Sequence, residues 1–110
     1  MLDHEIFICV QDNNLKELLS NILQVHNIMF KVINVDSLNM CNTINNRLII
    51  LDRKSMHGLL FNKQDRLLVL LEQGCYKLKD IEDLGLHCIR YHSINIKAKI
   101  LIETLYNMSL

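Results

Sequence analysis

The chain has 110 residues, half of them hydrophobic, with twelve basic and twelve acidic side chains and a formal net charge of zero. That is enough apolar material for one core and too little for two, and it leaves no overall field to draw in nucleic acid or an anionic membrane. No apolar run approaches the roughly 20 residues of a spanning helix, and Met1-Leu2-Asp3-His4-Glu5 lacks the basic start of a secretory signal, so a single cytoplasmic domain over residues 1–110 is expected.

Glu5-Ile6-Phe7-Ile8-Cys9-Val10 is a continuous apolar run. It predicts a strand buried on both faces, because a half-exposed strand alternates polar and apolar residues. Gln11 to Asn14 form a polar turn in which Asp12 or Asn13 caps a helix. That helix carries Leu15, Leu18, Leu19, Ile22 and Leu23 as one stripe, and it ends near His26-Asn27, where asparagine tolerates the left-handed conformation. Residues 28 to 35, interrupted by Lys31, predict an edge strand. Asp36 or Ser37 then caps a short helix with Leu38, Cys41 and Ile44 inward.

Arg47-Leu48-Ile49-Ile50-Leu51-Asp52 is the central run. It stops on a carboxylate at the C-terminal end of a buried strand, where open parallel sheets bind their ligands. Arg53-Lys54-Ser55 begins a loop, and Met56, Leu59 and Leu60 suggest a short helix. Arg66 to Leu71 is a fourth buried strand closed by Glu72-Gln73-Gly74, and Tyr76 to Leu84 is a modest helix ended by Gly85. Leu86 to Tyr91 forms a fifth strand at the other edge. The last helix starts near Ser93 or Asn95, with Ile96, Ile100, Leu101, Thr104, Leu105 and Met108 on one face. Strands alternating with helices predict βαβ units, hence an α/β fold of five parallel strands with helices on both sides and with Ile8, Ile50 and Val69 in a shared core.

Cys9, Cys41, Cys75 and Cys88 are scattered without a C-x-x-C pair, the pattern of reduced thiols rather than a disulfide framework. The spacing of Cys75, His87, Cys88 and His92 matches no zinc finger. With three glycines and no glycine-rich phosphate loop, a nucleotide-binding enzyme is the weakest reading.

Five (βα) units of this size, with polar residues after the first strand and Asp52 closing the third, resemble the receiver domain of two-component response regulators. The resemblance runs over the whole chain in element order. It implies a flavodoxin-like doubly wound sheet, order 2-1-3-4-5, which sets the ends of the first and third strands side by side. It also implies that Asp52 accepts a phosphoryl group and that an acidic pair after the first strand holds Mg²⁺ with it. A divalent cation is needed because phosphorylating a carboxylate brings two anions together.

The matching positions are incomplete. Gln11-Asp12 stands where the family has two acids, leaving Asp12 and Asp52 as the candidate metal ligands. Leu71 replaces the Ser or Thr whose hydroxyl would donate to the phosphoryl group. His92 replaces the family's lysine and carries a charge only when protonated. The resemblance therefore implies a degenerate pseudo-receiver with no catalysis of its own and no cofactor, Mg²⁺ entering only if Asp52 is phosphorylated. Such a module acts on a protein partner or on itself, and is expected to form the N-terminal domain of a transcription regulator or a stand-alone adaptor. No direct contact with nucleic acid or membrane is expected. The alternative is a functional receiver phosphorylated on Asp52 by a histidine kinase. The surface expected to pair is the fifth strand and last helix, with Arg90, Tyr91, Lys97, Lys99 and Glu103. Tyr91 would sit at its centre, and Lys97 and Glu103 would cross-pair about a two-fold axis.

Overall fold

The computed structural model describes residues 5–41, 47–56, 58–60, 65–72, 87–91 and 97–108; for Arg53 and for residues 71–72 and 87–91 the description extends to the backbone alone. Strands β1 (Glu5–Cys9), β2 (Lys31–Val32), β3 (Arg47–Asp52) and β4 (Arg66–Glu72) form a parallel sheet in the order 2-1-3-4. Ile8 lies opposite Val32 on one side and Ile50 on the other, and Ile50 lies opposite Leu68. The backbone of His87–Tyr91 (β5) runs parallel along β4, with Ile89 opposite Leu70. The α/β class and the parallel order 2-1-3-4 are thus as the apolar runs predict.

The continuous runs are explained by two covered faces, since successive side chains of a strand point to opposite sides. On one face Ile6, Ile8, Ile50, Leu68 and Leu70 pack with Leu15, Leu19 and Leu23 of α1 (Asn13–Val25) and with Leu101, Leu105 and Met108 of the last helix. On the other, Phe7, Cys9, Ile49, Leu51, Leu67 and Val69 meet Leu38 of α2 (Val35–Met40), together with Leu59 and Met56 beside the short α3 (Arg53–Met56). The last helix, Ala98–Met108, is here α4. Val69 is buried, but it does not share a core with Ile8 and Ile50: the register sets Leu68 beside Ile50 and turns Val69 to the opposite face.

Local signals explain the helix ends. Asp12 caps α1, its Oδ1 accepting from the N–H groups of Asn14 and Leu15 at 2.9 and 3.0 Å, and Asn27 takes φ 56° after the helix stops. Three expectations need correction. The second strand is only two residues long, because one side of the segment faces solvent and only Ile28 is fully buried in it. Helix α2 starts earlier than expected, since Asn34 rather than Asp36 or Ser37 provides the cap, its Oδ1 accepting from Ser37 N–H at 2.8 Å. The helix after β3 begins directly at Arg53, leaving Leu60 and, on α4, Ile100 exposed rather than inward. The expected helix Tyr76–Leu84 and the first turn of the last helix lie outside the described residues.

Arg47 carries a role that its position at the head of an apolar run does not announce. Its side chain is fully buried and grips Asp65 with two parallel hydrogen bonds, Nε to Oδ1 at 2.9 Å and Nη2 to Oδ2 at 2.6 Å. Nη1 donates to the carbonyls of Leu38 and Cys41 at 3.0 and 3.3 Å, satisfying the C-terminal end of α2. The register pairs Leu48 with Arg66, so Arg47 and Asp65 stand at matching steps before two neighbouring strands. Opposite charges immediately ahead of two apolar runs were the available signal.

Candidate functional site

Asp52 ends β3 at the mouth of the sheet, 7% exposed, next to the turn that follows β1. Both carboxylate oxygens accept backbone hydrogen bonds. Oδ1 takes the N–H of Ser55 at 2.9 Å, which caps the first turn of α3, and Oδ2 takes the N–H of Gln11 at 2.9 Å across 41 positions of sequence. A buried carboxylate without a cation is tolerable when N–H dipoles surround it, and here they also tie the turn after β1 to the end of β3.

The neighbouring Asp12 is exposed and its Oδ1 is engaged by α1, as described above. Gln11 is exposed and contributes its backbone N–H, not its side chain, to Asp52. The ends of β1 and β3 therefore do meet as the strand order requires, but each of the two acids serves as a helix cap. Among the described residues, no three His, Cys, Asp or Glu side chains converge as a metal-binding group. Leu71 lies in β4 opposite Arg90 of β5, and Glu72 opposite Tyr91, at the level of the backbone. His92 lies outside the described residues. Lys97 precedes α4 and, like Lys99 and Glu103 on it, is exposed, and the same helix exposes Ile100 (46%) and Tyr106 (45%). Tyr106 was not among the residues that the sequence singled out.

Beside Asp52, towards β2, lies an open cleft of about 710 Å³. Its buried lining consists of Cys9, Val10 and Ser55, and Ile33 and Val35 flank it, with Lys16 and Asp36 also lining it. The Ser55 hydroxyl is buried and makes no hydrogen bond of acceptable geometry. The Cys9 thiol next to it is pushed above its ordinary pKa, chiefly by burial; the neighbouring Ser55 hydroxyl opposes this, the charge of Asp52 adds to it, and Lys16 opposes it. The thiol is thus held protonated and is a poor nucleophile. The position of Cys9 in an apolar run indicated burial; the orphaned hydroxyl of Ser55, in a stretch read as a polar loop, gave no signal.

No family model, curated protein or solved structure matches the chain. The functional argument rests on the geometry of these residues.

Proposed function

We propose that the chain is a receiver-like regulatory module of the degenerate kind, with no catalysis of its own, acting through protein contacts in the cytoplasm. In this reading the sheet is the flavodoxin-like doubly wound one, order 2-1-3-4-5, and the domain belongs to a transcription regulator or is an adaptor. The observation that carries it is the state of Asp52: both oxygens accept backbone N–H groups, one of them capping α3. Esterifying either oxygen would take charge from a buried bond that holds a loop or a helix end. Gln11 supplies no second carboxylate, and Asp12 is committed to α1.

The contact surface in this reading is β5 with α4. Arg90 and Tyr91 on the strand, with Lys97 and Glu103 by the helix, supply polar partners, and the exposed Ile100 and Tyr106 add apolar area beside them. The partner is a second copy or another protein. Rim charges govern orientation more than affinity, so Tyr91→Ala and Tyr106→Ala should weaken association more than Lys97→Ala does. Sedimentation over a concentration series measures this. A strict monomer at high concentration removes the homodimer, and an unchanged dimer in both tyrosine variants moves the interface elsewhere.

The second reading, a working phosphoacceptor, draws on the position of Asp52 at the end of β3 next to the loop after β1. Incubation with Mg²⁺ and acetyl phosphate followed by intact mass measurement separates the two. The proposal expects no stoichiometric addition, and an addition abolished by Asp52→Asn overturns it.

A further inference from the structure

The cleft between the end of β1, the segment after β2 and α3 is outside the contact surface just proposed, and it contains an unsatisfied group. Ser55 is 1% exposed, its Oγ has no partner, and it lines the cleft beside the thiol of Cys9. A buried hydroxyl left unpaired is costly, and a group that completes its hydrogen bonding on arrival gains what the empty site lacks. The Ser55 backbone N–H is already given to Asp52, so the loop that carries the hydroxyl is fixed.

The rest of the lining narrows what that group belongs to. The only charged side chains lining the cleft among the described residues are Lys16 and Asp36, one of each sign. Lys16 has a single printed contact, with Asn13 Oδ1 at 3.5 Å, the long limit of a hydrogen bond, and its ammonium is close enough to act on the Cys9 thiol. A plain anion would meet Lys16 but also the fields of Asp36 and the buried Asp52; a plain cation would meet Lys16 as a repulsion. A molecule with both charges and no net charge suits the pair. Val10, Ile33 and Val35 add an aliphatic wall, which favours a branched apolar body over a polar one.

We infer that this cleft binds a free α-amino acid with an aliphatic side chain, its carboxylate directed to Lys16 and Ser55, its ammonium to Asp36, and its side chain to Val10, Ile33 and Val35. Closure of the cleft around such a ligand would couple the turn after β1 to the segment after β2, so the module's contacts would respond to a metabolite. The inference does not depend on which surface pairs the protein with its partner.

The test is a titration of the full chain with L-leucine, followed by amide resonances and by thermal midpoint. Two truncated analogues accompany it: 4-methylpentanoate, which lacks the ammonium, and isopentylamine, which lacks the carboxylate. The expected result is saturable shifts at Val10, Ile33 and Val35, with each analogue binding at least about tenfold more weakly, the scale of one lost charged hydrogen bond. Ser55→Ala and Lys16→Gln should weaken leucine binding by about the same factor. Because the Ser55 hydroxyl has no partner in the free protein, Ser55→Ala should leave the midpoint of the free protein unchanged or higher. Absence of shifts at millimolar leucine overturns the inference. So does equal binding of either analogue, or undiminished binding to Ser55→Ala.

Discussion

Strand β3 begins and ends on a buried charge, and its two ends handle that charge differently. At the start, Arg47 meets a full counter-charge in Asp65 and gives its remaining N–H to two carbonyls that α2 leaves open. At the other end Asp52 meets no cation among its printed hydrogen bonds; two backbone N–H groups from the loops on either side hold it. The first arrangement locks three elements together through an ion pair sealed from water. The second leaves a net negative charge at the rim of an open cleft, held only by backbone dipoles. An ion pair makes a rigid joint, whereas a carboxylate held by loop amides is a place where a ligand or a modification can change the balance.

That contrast can be broken from either end. The largest effect is expected from Arg47→Met, which leaves the buried Asp65 carboxylate without its guanidinium and should cost about 3–5 kcal/mol in chemical denaturation. The double variant Arg47→Met, Asp65→Leu should recover most of that loss, since no isolated charge is then buried. Failure of the double variant to recover would mean that the capping of α2, not the ion pair, is what Arg47 chiefly supplies.

Asp52→Asn is expected to cost less, about 1–3 kcal/mol, because the amide can accept from only one of the two N–H groups and turns a donor towards the other. A stabilised protein would instead mean that relief of the buried charge outweighs the lost caps. Asp12→Ala removes the cap of α1 alone and should cost about 1 kcal/mol, seen as a lower denaturation midpoint with unchanged cooperativity.

The smallest effect is on alkaline stability. Burial holds the Cys9 proton in the folded protein, whereas the unfolded chain releases it at the ordinary thiol pKa. Stability from this source is therefore full below that ordinary value and is lost as pH rises from it towards the higher folded value. Cys9→Ala should flatten this slope, and alkylation of Cys9 in the native protein should be far slower than in urea.

Much of this was legible in the runs of apolar residues. Three uninterrupted stretches, at residues 5–10, 47–52 and 66–71, predict strands covered on both sides, and α1 and α4 follow from stripes whose buried members are Leu15, Leu19, Leu23 and Leu101, Leu105, Met108. The place of Asp52 was readable for the same reason, since a run that stops on an acid at a strand end has few places to put it. What the acid does there was not readable, because its partners are the backbone of Gln11 and Ser55, and main-chain groups carry no sequence signature. The same reason hid Asn34 as the cap of α2: three polar candidates stood within four residues, and only geometry chooses among them. Val69 was assigned to the wrong face because a continuous run has no alternation to tell its two sides apart. The Ser55 hydroxyl was invisible because a loop residue is expected in water, and this one is enclosed by Cys9 and the start of α3.

The central claim is that Asp52 works as a structural cap and not as a switch. It is tested most directly by following the amide proton resonances of Gln11 and Ser55 while Mg²⁺ and beryllofluoride are added. If the carboxylate stays bonded to both N–H groups, neither resonance moves, and both shift only in Asp52→Asn. A saturating displacement of both resonances in the unmodified protein, absent in Asp52→Asn, would show that the carboxylate can leave its caps for a phosphoryl-like group and would contradict the account.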